Sequence, residues 1–132
     1  SNLLIHENNV IVAEADEFDR SFLQLFPEVA VITSMDADHL DIYGTHEEIT
    51  KAFHQFASQT EVGGAVVYKH ELDFDETVVD EDCEIFTYSL NDNDADFYAF
   101  GITVSLVVDA GYVTAAIRYN AGNVFKLTGF IH

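Results

Sequence analysis

Two β-branched runs, Val29 to Thr33 and Ala65 to Tyr68, flank one well-capped helical stretch, and that order leaves few folds open. Thr45-x-x-Glu48 has the capping-box spacing, and Ile49, Ala52, Phe53, Phe56 and Ala57 then fall on one helical face. A strand, a helix and a second strand in that order imply a parallel pair joined by a right-handed crossover. Upstream, Val10 to Ala13 reads as a further buried strand that ends at Glu14. Glu17 to Leu25 reads as a short helix with Phe18, Phe22 and Leu25 inward, interrupted by Pro27.

The second half changes character. Phe97 to Val108, Tyr112 to Tyr119 and Val124 to Ile131 are β-rich, with Asp109-Ala110-Gly111 and Asn120-Ala121-Gly122-Asn123 between them. Those linkers have turn chemistry, so two successive hairpins are expected. The intervening Asp73 to Glu84 is mostly acidic and is expected to be solvated. The expected fold is α/β: a partial Rossmann-like parallel sheet with helices over residues 10–68, followed by an antiparallel β meander over 84–132. Residues 1–132 then make a single domain, since 132 residues hold one core and not two.

Charge narrows the partners. Twenty-four Asp and Glu against five Lys and Arg give a formal net charge of −19. Such a field repels nucleic-acid phosphates and anionic membranes, so neither is an expected partner. Cys83 stands alone among Asp80, Glu81, Asp82 and Glu84, which excludes an internal disulfide and disfavours a reactive thiolate.

Two acidic motifs occupy the carboxyl ends of expected strands, where open parallel sheets bind ligands. They are "EADEFDRSF" from Glu14 to Phe22 and "DADHLDIYG" from Asp36 to Gly44. On neighbouring strands, Glu14 and His39 would converge. A carboxylate and an imidazole suit a divalent ion, and spacing alone allows Mg²⁺, Mn²⁺ or Zn²⁺. In so acidic a chain, Asp16, Glu17, Asp19, Asp36 and Asp38 read individually as solvated carboxylates. His46 and His54 lie eight positions apart and read as surface residues. Asn91 to Asp96, "NDNDAD", lacks the turn glycine and distal glutamate of a calcium loop and reads as a polar turn.

Taken together, Glu14-Ala15-Asp16-Glu17-x-Asp19-x-Ser21-Phe22 and Thr33-x-x-x-Ala37-Asp38-His39-x-Asp41-x-Tyr43-Gly44 resemble the central domain of the Mur ligases, the ATP-dependent amide-forming enzymes of peptidoglycan synthesis. The resemblance is dense from Val10 to about Phe56, including "AFHQF" on the helix. It is fair from Glu61 to Tyr68, and beyond Asp96 it rests on strand pattern and "DFYAF". It implies Mg²⁺ held by Glu14 and His39, with Asp41 behind His39, and Asp16, Glu17, Asp19 and Ser21 on the substrate side. It implies ATP as co-substrate and, by "DHLDIYG", the joining of L-alanine to UDP-N-acetylmuramate through an acyl phosphate. The nearest other activity in the family is the recycling reaction that adds a tripeptide to the same nucleotide.

Three departures stand out. Ser34 replaces a usual Asn, Phe18 replaces a common Ser, and no G-x-x-G-K-[ST] phosphate loop occurs in the chain. The expectation is therefore a piece of the ATP-binding central domain of a cytoplasmic bacterial ligase. By itself it should be inactive, it need not hold ATP or metal, and it should self-associate as a homodimer that covers an open sheet edge or its neighbouring face. The alternative from a different class is a free-standing acidic module that binds Ca²⁺ or a basic protein.

Overall fold

The computed structural model describes residues 3–5, 10–15, 20–36, 44–107, 110–119 and 123–131. Its strands are β1 (Leu3–Ile5), β2 (Ile11–Ala13), β3 (Val29–Ile32), β4 (Ala65–Lys69), β5 (Glu84–Ser89), β6 (Phe97–Val107), β7 (Ala110–Tyr119) and β8 (Asn123–Ile131). Among the described residues one α-helix occurs, α1 (His46–Ser58), which lies between β3 and β4 in the chain. Six strands form one sheet in the order β3-β4-β5-β6-β7-β8. β3 through β6 run parallel, and the β6–β7 and β7–β8 pairs are antiparallel.

The expected helix forms for the expected reasons. Thr45 caps it, its side chain accepting from the Glu48 amide at 3.3 Å. The Glu48 carboxylate does not close the capping box; it accepts from Lys51 Nζ at 3.1 Å. Ile49, Ala52, Phe56 and Ala57 are buried and pack on Ala30, Ile32, Val66 and Tyr68, the inward residues of β3 and β4. Gly64 lets β4 start close to β3. A Cβ there would overlap the Glu28 carbonyl oxygen and lie 2.8 Å from that of Glu61.

Four features differ from the sequence expectation. Val10 to Ala13 is not a buried strand beside β3. β2 pairs antiparallel with β1, in a separate two-stranded sheet, and Val10, Ile11 and Val12 are exposed. A β-branched run specifies extended backbone but not its neighbour, and the nearby run Leu3–Ile5 closes the shorter loop. Second, the parallel part does not end at residue 68, nor is all of 84–132 antiparallel. β5 pairs in parallel with β4, and β6 enters parallel to β5 through Tyr88↔Phe97 and Ser89↔Tyr98.

Third, the segment expected as a helix from Glu17 to Leu25 contains a 3₁₀ turn, Ser21–Gln24, preceded by Arg20 at φ 61°. A left-handed residue at that point stops helical propagation from upstream. Phe22 is buried as expected, Leu25 is exposed, and Phe18 lies outside the described residues. Fourth, the acidic segment is not simply solvated. Leu72, Phe74, Val78 and Val79 pack against the core while the intervening carboxylates face out. The turns of both expected hairpins include residues outside those described, but the strands they join pair as expected.

Candidate functional site

A cavity of ≈ 190 Å³ opens at the carboxyl end of β3. Its apolar floor is Phe22, Ile32, Phe53 and Phe56, and exposed Val31 joins Ala15, Thr33, Ser34 and Asp36 at its rim. Phe22 rises from the 3₁₀ turn and contacts the rings of Phe53 and Phe56, with centroids 5.6 and 5.4 Å away. The cavity joins the ends of both acidic motifs although β2 and β3 are not paired. Ala15, beside Glu14, borders the same space as Thr33, Ser34 and Asp36.

Ser34 organises that rim. Its hydroxyl donates to Asp36 Oδ2 at 2.7 Å and accepts from the Asp36 amide at 3.0 Å. This local ring is a Ser turn, in which a side chain takes the place of a backbone partner. Asp36, expected to be a solvated carboxylate, is held in this ring. Its signal was the Ser-x-Asp spacing directly after a buried strand.

Of the expected site residues, Glu14 follows β2 and is exposed, and Ser21 begins the 3₁₀ turn. Asp16, Glu17, Asp19, His39 and Asp41 lie outside the described residues. Among the described residues, no three His, Cys, Asp or Glu side chains gather as a metal cluster. Among the described residues, the side chains of the rim offer oxygen donors only, from Thr33, Ser34 and Asp36. That donor chemistry fits a hard cation such as Mg²⁺.

The other flagged groups have structural partners. His54 Nε2 accepts from the Asp75 amide at 3.3 Å, and its ring meets Phe74 edge-on at 5.2 Å. Asp75 caps its 3₁₀ turn by accepting from Thr77, which holds its carboxyl below the usual range. In "NDNDAD", Asp92 accepts from the Asp94 amide at 2.9 Å and Asp96 from the Thr87 amide at 2.8 Å, so it is a polar turn. Ser89, buried at the end of β5, donates to Glu71 at 2.5 Å and lowers its pKa. The Cys83 thiol lies 3.3 Å from the Glu61 carbonyl oxygen.

No helix of the described residues is long and apolar enough to cross a membrane. Residues 3–125 match the Mur ligase middle domain. The chain is 46% identical over 105 residues to the UDP-N-acetylmuramate–L-alanine ligase of Porphyromonas gingivalis, covering 79% of this chain and 23% of that protein. It is 43% identical over 99 residues to the ligase of the same name from Flavobacterium johnsoniae, covering 74% and 22%. Crystal structure I of MurF from Acinetobacter baumannii shares the fold, with a TM-score of 0.57 at 16% identity over 86% of this chain and 23% of that one. The chain thus spans under a quarter of the length of these relatives. On this evidence of sequence and fold, the chain belongs to the Mur ligase family, through its middle domain.

Proposed function

We propose that this chain is part of the ATP-binding middle domain of a bacterial cytoplasmic ligase that joins L-alanine to UDP-N-acetylmuramate during peptidoglycan synthesis. The observation that carries the reading is the cavity at the end of β3, whose rim is built from the ends of both motifs. The identity to two L-alanine ligases favours that activity over tripeptide addition. The acidic-module alternative loses support because the Asp92 and Asp96 carboxylates accept backbone hydrogen bonds.

In this reading the muramate carboxylate oxygen attacks the γ-phosphorus of ATP, and ADP leaves. The alanine nitrogen then attacks the acyl carbon of the resulting acyl phosphate, inorganic phosphate departs, and the nitrogen gives up a proton. Glu14 and His39 would hold Mg²⁺, which when bound neutralises the charge gathered between the reacting anions. Asp41 would accept from the second ring nitrogen of His39 and fix its orientation. Asp16, Glu17, Asp19 and Ser21 would line the substrate side, and the Phe22, Phe53 and Phe56 floor keeps water from beneath the rim. The 132-residue chain alone is inactive and self-associates as a homodimer, a reading supported by a sheet with two outer strands.

The test uses the complete ligase polypeptide that carries this segment. Glu14→Ala and His39→Ala should each lower alanine-dependent phosphate release at least ~10²-fold, the order seen when one charge-stabilising group is removed. Melting temperature should barely change. Wild-type turnover in either variant rejects the ligand roles, and alanine-dependent ATP hydrolysis by the isolated 132-residue chain rejects its inactivity.

A further inference from the structure

We propose that β8 is a self-association edge, which pairs antiparallel with β8 of a second copy of this chain. This rests on the homodimer reading above and names the surface. Charge is divided sharply along the sequence. From Phe97 to Ile131 there is one acid, Asp109, against two cations, Arg118 and Lys126, while the other 23 acids lie outside that stretch. The β6–β8 ribbon is therefore the one long part of the fold that two copies can bring together without stacking carboxylates.

Register sets the ribbon apart from the acidic body. Only Phe97 and Tyr98 of β6 pair with β5, at its last two residues. The rest of β6 continues past the carboxyl ends of the parallel strands, by about 30 Å at a strand rise of about 3.3 Å per residue. β8 follows β7 without a bulge from Gly111↔Ile131 to Tyr119↔Asn123. Among the described residues, β7 is its sole paired neighbour. Nine residues of regular edge, "NVFKLTGFI", thus present unpaired backbone groups with a single charge. Such edges recruit another strand unless charge, proline or a bulge blunts them. Lys126 is the one blunting residue in that run, a single charge among nine residues.

The opposite edge is a poorer dock. β3 has four residues, between Glu28 and Asp36, and Ala15 beside Glu14 borders its carboxyl end. A twofold β8–β8 contact is self-complementary and closes at two copies.

The experiment combines sedimentation equilibrium with hydrogen exchange on the purified 132-residue chain at several protein and KCl concentrations. A monomer–dimer equilibrium that tightens with KCl is expected, with amides in 123–131 gaining protection as protein concentration rises and those in 29–32 unchanged. Val124→Glu with Thr128→Glu should weaken association at least tenfold. If that variant loses its circular dichroism signal, the wild-type exchange pattern decides. A strict monomer under all conditions overturns the homodimer reading and the β8 edge together. A dimer protected at 29–32, or oligomers that keep growing with concentration, overturn the β8 edge alone.

Discussion

Tyr68, near the end of β4, donates its hydroxyl to Glu76 Oε1 across 2.6 Å. The bond ties the acidic segment after β4 down onto the face covered by α1, where Phe74 stacks on Tyr68 with centroids 4.7 Å apart. Burial first, and then the hydrogen bond to Glu76, push the Tyr68 pKa up to about 12.

The fold therefore favours the neutral phenol. Unfolded Tyr titrates near pH ~10, so this contribution to stability is fully present below that pH. It fades as the pH rises through the folded pKa. Tyr68→Phe should cost about 0.5–1.5 kcal/mol at neutral pH, the net worth of one hydrogen bond. Tyr88 is also raised by burial and titrates in the alkaline range. The comparison is thus the difference between wild type and Tyr68→Phe in urea melts from pH 8 upward. That difference should shrink above pH ~10; a constant difference would refute the role given to Tyr68.

Phe22 is the joint between the 3₁₀ turn and α1, 2% exposed and in contact with both Phe53 and Phe56. Phe22→Ala removes that filling and enlarges the cavity, at an expected cost of about 3–5 kcal/mol. Leu25→Ala, three residues on at 41% exposure, should stay within about 0.5 kcal/mol. Equal losses in denaturant melts would show that the turn packs differently.

Gly64 tests the close approach of β3 and β4. Its amide donates to Glu61 O at 2.8 Å, and its carbonyl accepts from the Glu84 amide at 3.0 Å, so three segments meet on one backbone unit. A Cβ would collide with backbone, which cannot swing aside as a side chain can. Gly64→Ala should destabilise by about 1–3 kcal/mol, as overpacking does. An unchanged melting temperature would contradict the observed spacing.

Legibility of the fold followed the range of the interactions involved. α1 was readable because its cap and its stripe, from Thr45 to Ala57, are local and repeat with the helical period. The β3–α1–β4 crossover followed from order alone. β2 misled because Val10 to Val12 states a preference for extended backbone, while its partner is a matter of tertiary competition. β5 was hidden by composition: Glu84 and Thr87 interrupt the apolar run, and Thr87 is held in place by Asp96 at 2.9 Å, a contact from outside the strand. At the site, the motif predicted Glu14 and His39. The Ser34–Asp36 ring needed coordinates, because each residue alone reads as an ordinary polar group.

The charge of −19 makes the last prediction. Five cations cannot neutralise twenty-four carboxylates, and Lys51 is already shared between Glu47 and Glu48, at 3.1 Å from each. Both of those pairs are exposed, so they contribute little. The remaining repulsion opposes the compact state and is relieved by screening. Between about 0.01 M and about 1 M salt the Debye length shrinks from about 30 Å to about 3 Å, passing through the spacing of neighbouring surface charges. Thermal melts at low protein concentration, where the chain is monomeric, should therefore show the melting temperature rising steeply with KCl and then levelling. The plateau distinguishes screening from the exclusion of salt from apolar surface, which keeps strengthening with concentration and is larger for sulfate. Choline chloride should match KCl at equal ionic strength if the ions act as a cloud. A flat melting temperature would mean that repulsion is already dispersed, and a rise specific to one cation would mean that the carboxylates bind it at a defined site.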